Sequence, residues 1–431
     1  MDRCYKFVKD MKEETAEIDS QETIDEKRQS KSYKLRLFSL AGISSAAIFV
    51  ARTFLGLFAV FLEASTTALA LITSLRNLIQ QTFQSTFGRI SDNIGRKIMM
   101  FIGLLGCGIS LALFPLIQNE WVLVGAVVGF SLGFASFYPA FTALQGDLTT
   151  KKNRAGLISL VTIIGGGATL VYLIIVGFLG DLGETNPKQF LIVFEITAAL
   201  FVICAVVSLF LYEPKVKKIT DQRIFSLKPV KENRTFRKFI LINSVVAFCM
   251  SVGWPIFPLV RGTFATNKEN TWVWGFFCLF QVIILIAINP LINRVKKTTL
   301  LFIGRVGMFY VPINLAITIY WLPYWWHLAI AGAISGLCNA LYWVGQNSYI
   351  LDCAPDEEKG TYTGIHNLFI GISTFLGSLI MGLIADYITI KNDWFTIFVL
   401  LMIIAAGRFL SSLGFLFIGE PKIPDSTSQI E

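Results

Sequence analysis

Gly88-Arg89-Ile90-Ser91-Asp92-Asn93-Ile94-Gly95-Arg96-Lys97 is a short polar step between two apolar runs, 65–88 and 98–117. About twenty apolar residues in a helix cross the ~30 Å hydrocarbon core of a bilayer, so each run is long enough to span it. Between the runs the chain must turn at the membrane surface. Gly95 permits a left-handed backbone turn, and Gly88 removes a side chain where two helices would approach. Asp92 can accept from the free amides at a helix start, where the helix dipole favours an anion. Arg89, Arg96 and Lys97 place positive charge beside the ends of both runs, the mark of a cytoplasmic loop.

The pattern continues outward in both directions. Twelve apolar segments are predicted, roughly at 37–62, 65–88, 98–117, 121–146, 155–180, 188–212, 237–260, 270–292, 298–319, 326–351, 360–386 and 392–418. Stretches such as Val122 to Phe130 and Ile397 to Ala406 are apolar on every side. The strands of a membrane barrel would instead alternate apolar and polar residues. Backbone groups in lipid must bond within their own segment, so the expected fold class is an all-α polytopic membrane protein with 12 transmembrane helices. Composition agrees: 54% of residues are hydrophobic and 15% charged, where a soluble domain carries about 25% charge. Soluble, disordered and disulfide-scaffold classes are excluded.

Basic residues set the expected orientation. Arg89, Arg96 and Lys97, then Lys151, Lys152 and Arg154, then the stretch 213–236, then Arg294, Lys296 and Lys297, then Lys359 fall on one side, with both tails. The opposite loops are assigned only Lys188, Arg261, Lys268 and Lys391. The expected organisation is a charged cytoplasmic tail over 1–36, a six-helix bundle over 37–212, a cytoplasmic central loop over 213–236, a second bundle over 237–418 and a cytoplasmic tail over 419–431, in the cell membrane. Residues 1–36 lack the apolar stretch of a signal peptide and read as a tail with a basic anchor for anionic headgroups. The net charge of +8 follows from these loops and calls for no nucleic-acid partner.

The two halves repeat. Leu144-Gln145-Gly146-Asp147, followed by Lys151 to Arg154, aligns with Ile350-Leu351-Asp352, followed by Asp356 to Lys359. Leu211-Tyr212-Glu213-Pro214-Lys215 aligns with Ile418-Gly419-Glu420-Pro421-Lys422. Duplicated six-helix units suit a transporter, where one unit rocks against the other. In this setting the step at 88–97 resembles the cytoplasmic signature of the major facilitator superfamily, G-x-(L/I)-(S/A)-D-x-x-G-R-(K/R), with both glycines, the Asp and the basic pair in place. The resemblance covers residues 37–418. It implies two pseudo-symmetric six-helix bundles around a central cavity lined by helices one, four, seven and ten. Asp147 and Arg154 resemble the family's D-x(n)-R element. Gly88, Asp92, Gly95, Arg96, Lys97, Asp147 and Arg154 are therefore expected to form a cytoplasmic gate, with Arg96 and Lys97 pairing to Asp147 between bundles. The second-half counterpart, Asn289 to Lys297, keeps its basic residues and loses the acid and glycines, so the gate is expected to be asymmetric. Thr162 to Gly167 carries glycines for helix contact without the proline of the family's antiporter pattern.

An ionisable residue deep in a span is a functional candidate. Arg52 lies about fifteen residues, or ~22 Å, into the first segment, and Arg76 lies near the middle of the second. Candidate cargo-binding residues are Arg52, Arg76, Asn77, Gln80, Gln84, Tyr138, Trp254, Asn339, Trp343 and Gln346. No acid lies deep in the first half, so the cavity is expected to be positive and its cargo anionic or rich in acceptors. Arg305 and Arg408 lie nearer their span ends and are expected to snorkel. His366 opens the eleventh segment, where it suggests gate chemistry. The seven cysteines read as small buried hydrophobes, and no cofactor or metal is expected.

The expected function is secondary active or facilitative transport of a small organic solute by alternating access. The alternatives are a multidrug efflux antiporter of the same fold and a membrane sensor or scaffold that does not transport. An enzyme is not expected, because the chain has no H-E-x-x-H, Walker loop or G-x-S-x-G. Expected partners are the solute and the bilayer. A monomer is expected, since each bundle can bury its interface against the other.

Overall fold

A computed structural model describes residues 31–148, 154–180, 188–213, 228–288, 295–354, 359–388 and 393–421. The long helices are α1 (Lys31–Phe61), α2 (Thr66–Ile94), α3 (Arg96–Ala112), α4 (Glu120–Asp147), α5 (Arg154–Gly180) and α6 (Lys188–Leu209). They continue as α7 in two pieces (Arg234–Ser251 and Phe257–Phe264), α8 (Asn267–Ile288) and α9 in two pieces (Lys297–Val306 and Tyr310–Tyr320). The last three are α10 (Trp325–Cys353), α11 (Lys359–Tyr387) and α12 (Trp394–Ser412). The predicted central loop 213–236 lies largely outside the described residues.

Among the described residues, 10 helices are long and apolar enough to cross a membrane. The two remaining members of the predicted twelve are α2 and α7, and each has a physical reason. One face of α2 carries Thr73, Arg76, Asn77, Gln80 and Gln84. α7 is interrupted at 252–256, where Pro255, with Pro258 at the start of the second piece, lacks the N–H that would continue the helical ladder. α9 is broken by a single tight turn, Gly307–Phe309, just before Pro312.

α1 to α6 pack around one apolar core that includes Leu40, Phe54, Phe130, Phe194 and Phe201. α7 to α12 enclose two smaller cores, one around Ile256, Leu315 and Ile404 and one around Phe236, Phe239 and Tyr349. Within the first bundle α3 and α4 approach until their backbones touch. A Cβ on Gly103 would lie 2.6 Å from the Gly133 carbonyl oxygen and 2.6 Å from the Phe137 nitrogen. The second bundle repeats this contact between α9 and α10, where a Cβ on Gly304 would lie 2.5 Å from the Tyr342 nitrogen. Gly103→Ala is expected to push α3 off α4 at an overpacking cost of about 1–3 kcal/mol, seen as a lower Tm of the purified protein.

The ends of the spans nearest the 88–97 step are called the basic face below, and the others the far face. The halves meet through α2 with α11, α5 with α8 and α1 with α7. Close approaches run along these seams, at mid-span where a Cβ on Gly371 would meet the Gln81 Cβ at 3.0 Å and one on Gly166 the Val282 Cγ2 at 3.1 Å, and toward the far face. A Cβ on Gly382 would meet the Ala70 Cβ at 2.4 Å, one on Gly177 the Thr271 Cγ2 at 3.3 Å, and one on Gly56 the Pro258 Cγ at 3.5 Å. Toward the basic face, Tyr138 on α4 and Trp343 and Leu351 on α10 are exposed.

Candidate functional site

Arg52 on α1 lines two of the cavities that lie between the halves. The cavity toward the far face has a volume of about 330 Å³, with Arg52, Arg76, Arg261 and Arg408 in its wall. The cavity toward the basic face, about 390 Å³, is lined by Ser45, Arg52, Tyr138, Gln145 and Gln281 among others. Neither wall includes a carboxylate among the described residues.

The four arginines are held differently. Arg52 donates through Nη2 to Gln80 Oε1 at 2.6 Å, and its guanidinium lies 4.4 Å over the Phe134 ring. Its Nε makes no hydrogen bond and is buried. Arg76 finds no hydrogen-bond acceptor among the described residues, and its Nε is also buried. Arg261 rests 4.9 Å over the ring of Trp274. Arg408 donates to the carbonyl oxygens of Met250 and Met308 and lies 4.8 Å over Phe257. Burying cations without carboxylates is unfavourable unless acceptors or aromatic faces offset the loss of water.

Two of these positions overturn sequence expectations. Arg261 was assigned to a far-face loop, but it lies in the second piece of α7, which the chain re-enters after the break. Arg408 was expected to snorkel, but it is 2% exposed and points inward. The carbonyls freed by the breaks in α7 and α9 draw it there. The cavity wall is also broader than helices one, four, seven and ten. α2, α8, α9 and α12 contribute to the far-face cavity, and α4 joins α1, α5 and α8 in the basic-face one.

Of the predicted cargo residues, Arg52, Arg76, Asn77 and Trp254 line the far-face cavity and Tyr138 the basic-face one. Gln80 is buried behind Arg52 as its acceptor. Gln84, Asn339 and Trp343 lie outside both walls, with Trp343 exposed on α10. Gln346 is buried within the second bundle. There Asn243 donates through Nδ2 to His366 Nε2 at 2.8 Å and to Gln346 Oε1 at 3.5 Å, and its Oδ1 accepts from the Tyr342 hydroxyl at 2.8 Å. His366 is thus part of a polar knot tying α7, α10 and α11 together.

At the basic face, Gly95 has φ 114°, a conformation that favours glycine. Gly88 is less constrained, since a Cβ there would meet the Pro139 Cβ at an ordinary 3.6 Å. Arg96 pairs with Asp147, but both belong to the first bundle, so this ion pair braces α3 against α4 and does not join the halves. Lys97 contributes its backbone amide. The Glu213 carboxylate accepts from Arg96 N at 2.6 Å and Lys97 N at 3.3 Å, capping α3. Asp92 and Arg154 sit on α2 and α5, with side chains outside the described ones.

Asn289 to Arg294, on which the expected asymmetry of the gate rests, lie outside the described residues, but the described parts of the second half share an ion pair and a cap with the first. Lys297 pairs with Asp352, as Arg96 does with Asp147. Glu420 accepts from Lys297 N at 3.3 Å and Thr298 N at 2.8 Å, as Glu213 does at the start of α3. The duplicated Glu-Pro-Lys ends of the two halves were the signal for these caps. The motif letters changed while the charge geometry stayed, because a cap needs only a carboxylate within reach of free amides.

A family model described as Major Facilitator Superfamily matches residues 37–316 and 239–431. The chain is 34% identical over 163 residues to the multidrug resistance protein MdtG of Dickeya zeae, covering 37% of each protein. It is 29% identical over 207 residues to MdtG of Escherichia coli O6:K15:H31, covering 46% of this chain and 48% of that protein. These matches span less than half the length of the curated relatives. Among solved structures, the nucleoside transporter NupG superposes with a TM-score of 0.72 at 14% identity, over 90% of this chain and 98% of that one. An inward-facing, occupied bacterial homologue of the human lysosomal transporter Spinster superposes with a TM-score of 0.64 at 16% identity, over 92% and 100%. At such identities these structures speak for the fold alone.

Proposed function

The chain belongs to the major facilitator superfamily and is a multi-pass membrane transporter, and we propose that its cargo is a small organic solute bearing an anionic or acceptor-rich group. The observation that carries this reading is the cluster of Arg52, Arg76, Arg261 and Arg408 around one cavity whose described wall has no carboxylate. An arriving carboxylate or phosphate would supply the missing charge, and a guanidinium can bind it through two parallel hydrogen bonds. Trp254, Phe257, Trp274 and Phe277 line the same space and suit an apolar or aromatic body beside the anion. Transport is by alternating access, with Arg52 between the two cavities positioned to keep contact with the cargo as it passes.

The basic face is the cytoplasmic one in this reading, with both tails on that side, as the positive-inside bias supports. The step from Gly88 to Lys97, with Asp147 and Arg154, belongs to the gate of that face. The protein works as a monomer in the cell membrane, without a catalytic reaction. Efflux of amphipathic drugs is the second reading, favoured by the aromatic wall and by the MdtG relatives' description as multidrug resistance proteins.

Uptake into proteoliposomes tests the proposal, with labelled organic anions, cations and neutral solutes offered in parallel. Organic anions should be accumulated or equilibrated faster than through protein-free vesicles. If only cationic or neutral apolar solutes move, the anionic reading is wrong and the drug-efflux reading stands.

A further inference from the structure

We propose that Asp386 is the latch of the far-face gate, a positioning residue that holds the two halves together across the seam of α2 and α11. Asp386 lies near the end of α11, in the second half, and its carboxylate receives the start of α2, in the first. Oδ1 accepts from Thr66 N at 2.7 Å and from the Thr66 hydroxyl, and Oδ2 accepts from Thr67 N at 2.8 Å.

The first amides of any helix have no partner within it. At α2 the amide of Ala68 is satisfied by Ser65 Oγ at 3.1 Å and that of Ser65 by Glu120, both from the same half. The amides of Thr66 and Thr67 are satisfied from the opposite half. The α2 start is thus completed only while the far face is shut, and a carboxylate there also meets the positive end of the helix dipole. Below the latch the seam is close: Ser378 Oγ donates to Ala70 O at 3.3 Å and lies 3.3 Å from Thr73 Oγ1.

Alternating access requires this seam to part, so opening the far face uncaps α2 and frees the carboxylate together. The latch biases the protein toward the arrangement seen here, with the far-face end of the α2–α11 seam closed. This inference concerns conformation and does not depend on what the cargo is.

Hydrogen–deuterium exchange of the full-length protein in lipid nanodiscs tests it, comparing wild type with Asp386→Asn, Asp386→Glu and Thr66→Pro. Thr66→Pro removes one donor amide and the hydroxyl at the first helical position, where proline is tolerated. Its neighbour Ser65 already has the extended backbone (φ −58°, ψ 155°) that a following proline requires. A purely local cap would change exchange only around residues 66–70. A latch predicts faster exchange also across the far-face end of the separate α5–α8 seam, residues 170–177 and 271–279, which Asp386 does not touch. About tenfold faster exchange there is expected for Asp386→Asn and Thr66→Pro, the order of effect of losing one charge-assisted hydrogen bond. Asp386→Glu, which keeps the charge, should restore much of the wild-type protection. Unchanged exchange at the α5–α8 seam in both Asp386→Asn and Thr66→Pro would overturn the proposal. Should Asp386→Asn fail to fold, Thr66→Pro decides alone.

Discussion

Arg408→Met should yield a protein that reaches the membrane yet melts well below wild type and transports poorly. Arg408 bridges two defects in the helical ladder. In an unbroken α7 the Met250 carbonyl would accept from Trp254 N, but that amide instead donates to Ser251 O at 3.0 Å. In α9 the Met308 carbonyl would look to residue 312, which is a proline with no N–H. Arg408 donates to both carbonyls from α12. Methionine matches much of its volume and offers no donor, so two carbonyls in a water-poor interior lose their partner. Each such loss costs about 1–3 kcal/mol. Removing a buried charge offsets part of that, leaving an expected net destabilisation of about 1–3 kcal/mol. Lysine can reach one carbonyl at a time, so Arg408→Lys should fall between. The measurement is Tm of the purified variants, with transport in vesicles. A wild-type Tm for Arg408→Met would mean that the helix breaks are satisfied some other way.

Arg52→Lys and Arg76→Lys should each weaken cargo binding by about ten- to a hundred-fold, the range spanned by one charged hydrogen bond. Lysine retains the positive charge, so the overall potential of the cavity changes little. What disappears is the planar fork that meets a carboxylate or phosphate with two bonds. The loss should be larger at Arg76, whose donors have no protein acceptor among the described residues, than at Arg52, which already bonds Gln80 at 2.6 Å. Binding is best read by titration at fixed ionic strength, using whichever anion the transport panel identifies. Equal affinity in both variants would move the arginines from cargo recognition to helix bracing.

The far-face latch and these two results concern residues whose partners are far away along the chain: Asp386 with Thr66, Arg408 with Met250, Arg52 with Gln80. Local pattern carries no record of such pairs. The spans themselves needed none, because a helix that crosses lipid must be apolar along its own length and satisfy its own backbone. For the same reason the sequence alone determined the helical class, the alternation of basic and non-basic ends, the duplication into halves and, through Gly88 to Lys97, the family. It also exposed Arg52 and Arg76, since a charge in the middle of a span has nowhere else to go.

Tertiary structure alone decided which way each polar side chain turns. Arg261 and Arg408 lie near the ends of apolar stretches, a position that reads equally as a snorkelling charge or a cavity wall. Only the breaks in α7 and α9 and the rotation of α12 settle it. Gln346 sits among polar residues on α10 as a cargo ligand would, yet it faces Asn243 inside its own bundle. Lys297 and Asp352 look like remnants of a decayed motif until packing brings them together. Helix rotation is fixed by the glycines and side chains of neighbouring helices, as where Gly103 admits the backbone of α4. That is a property of two surfaces in contact, and one helix's sequence contains only half of it.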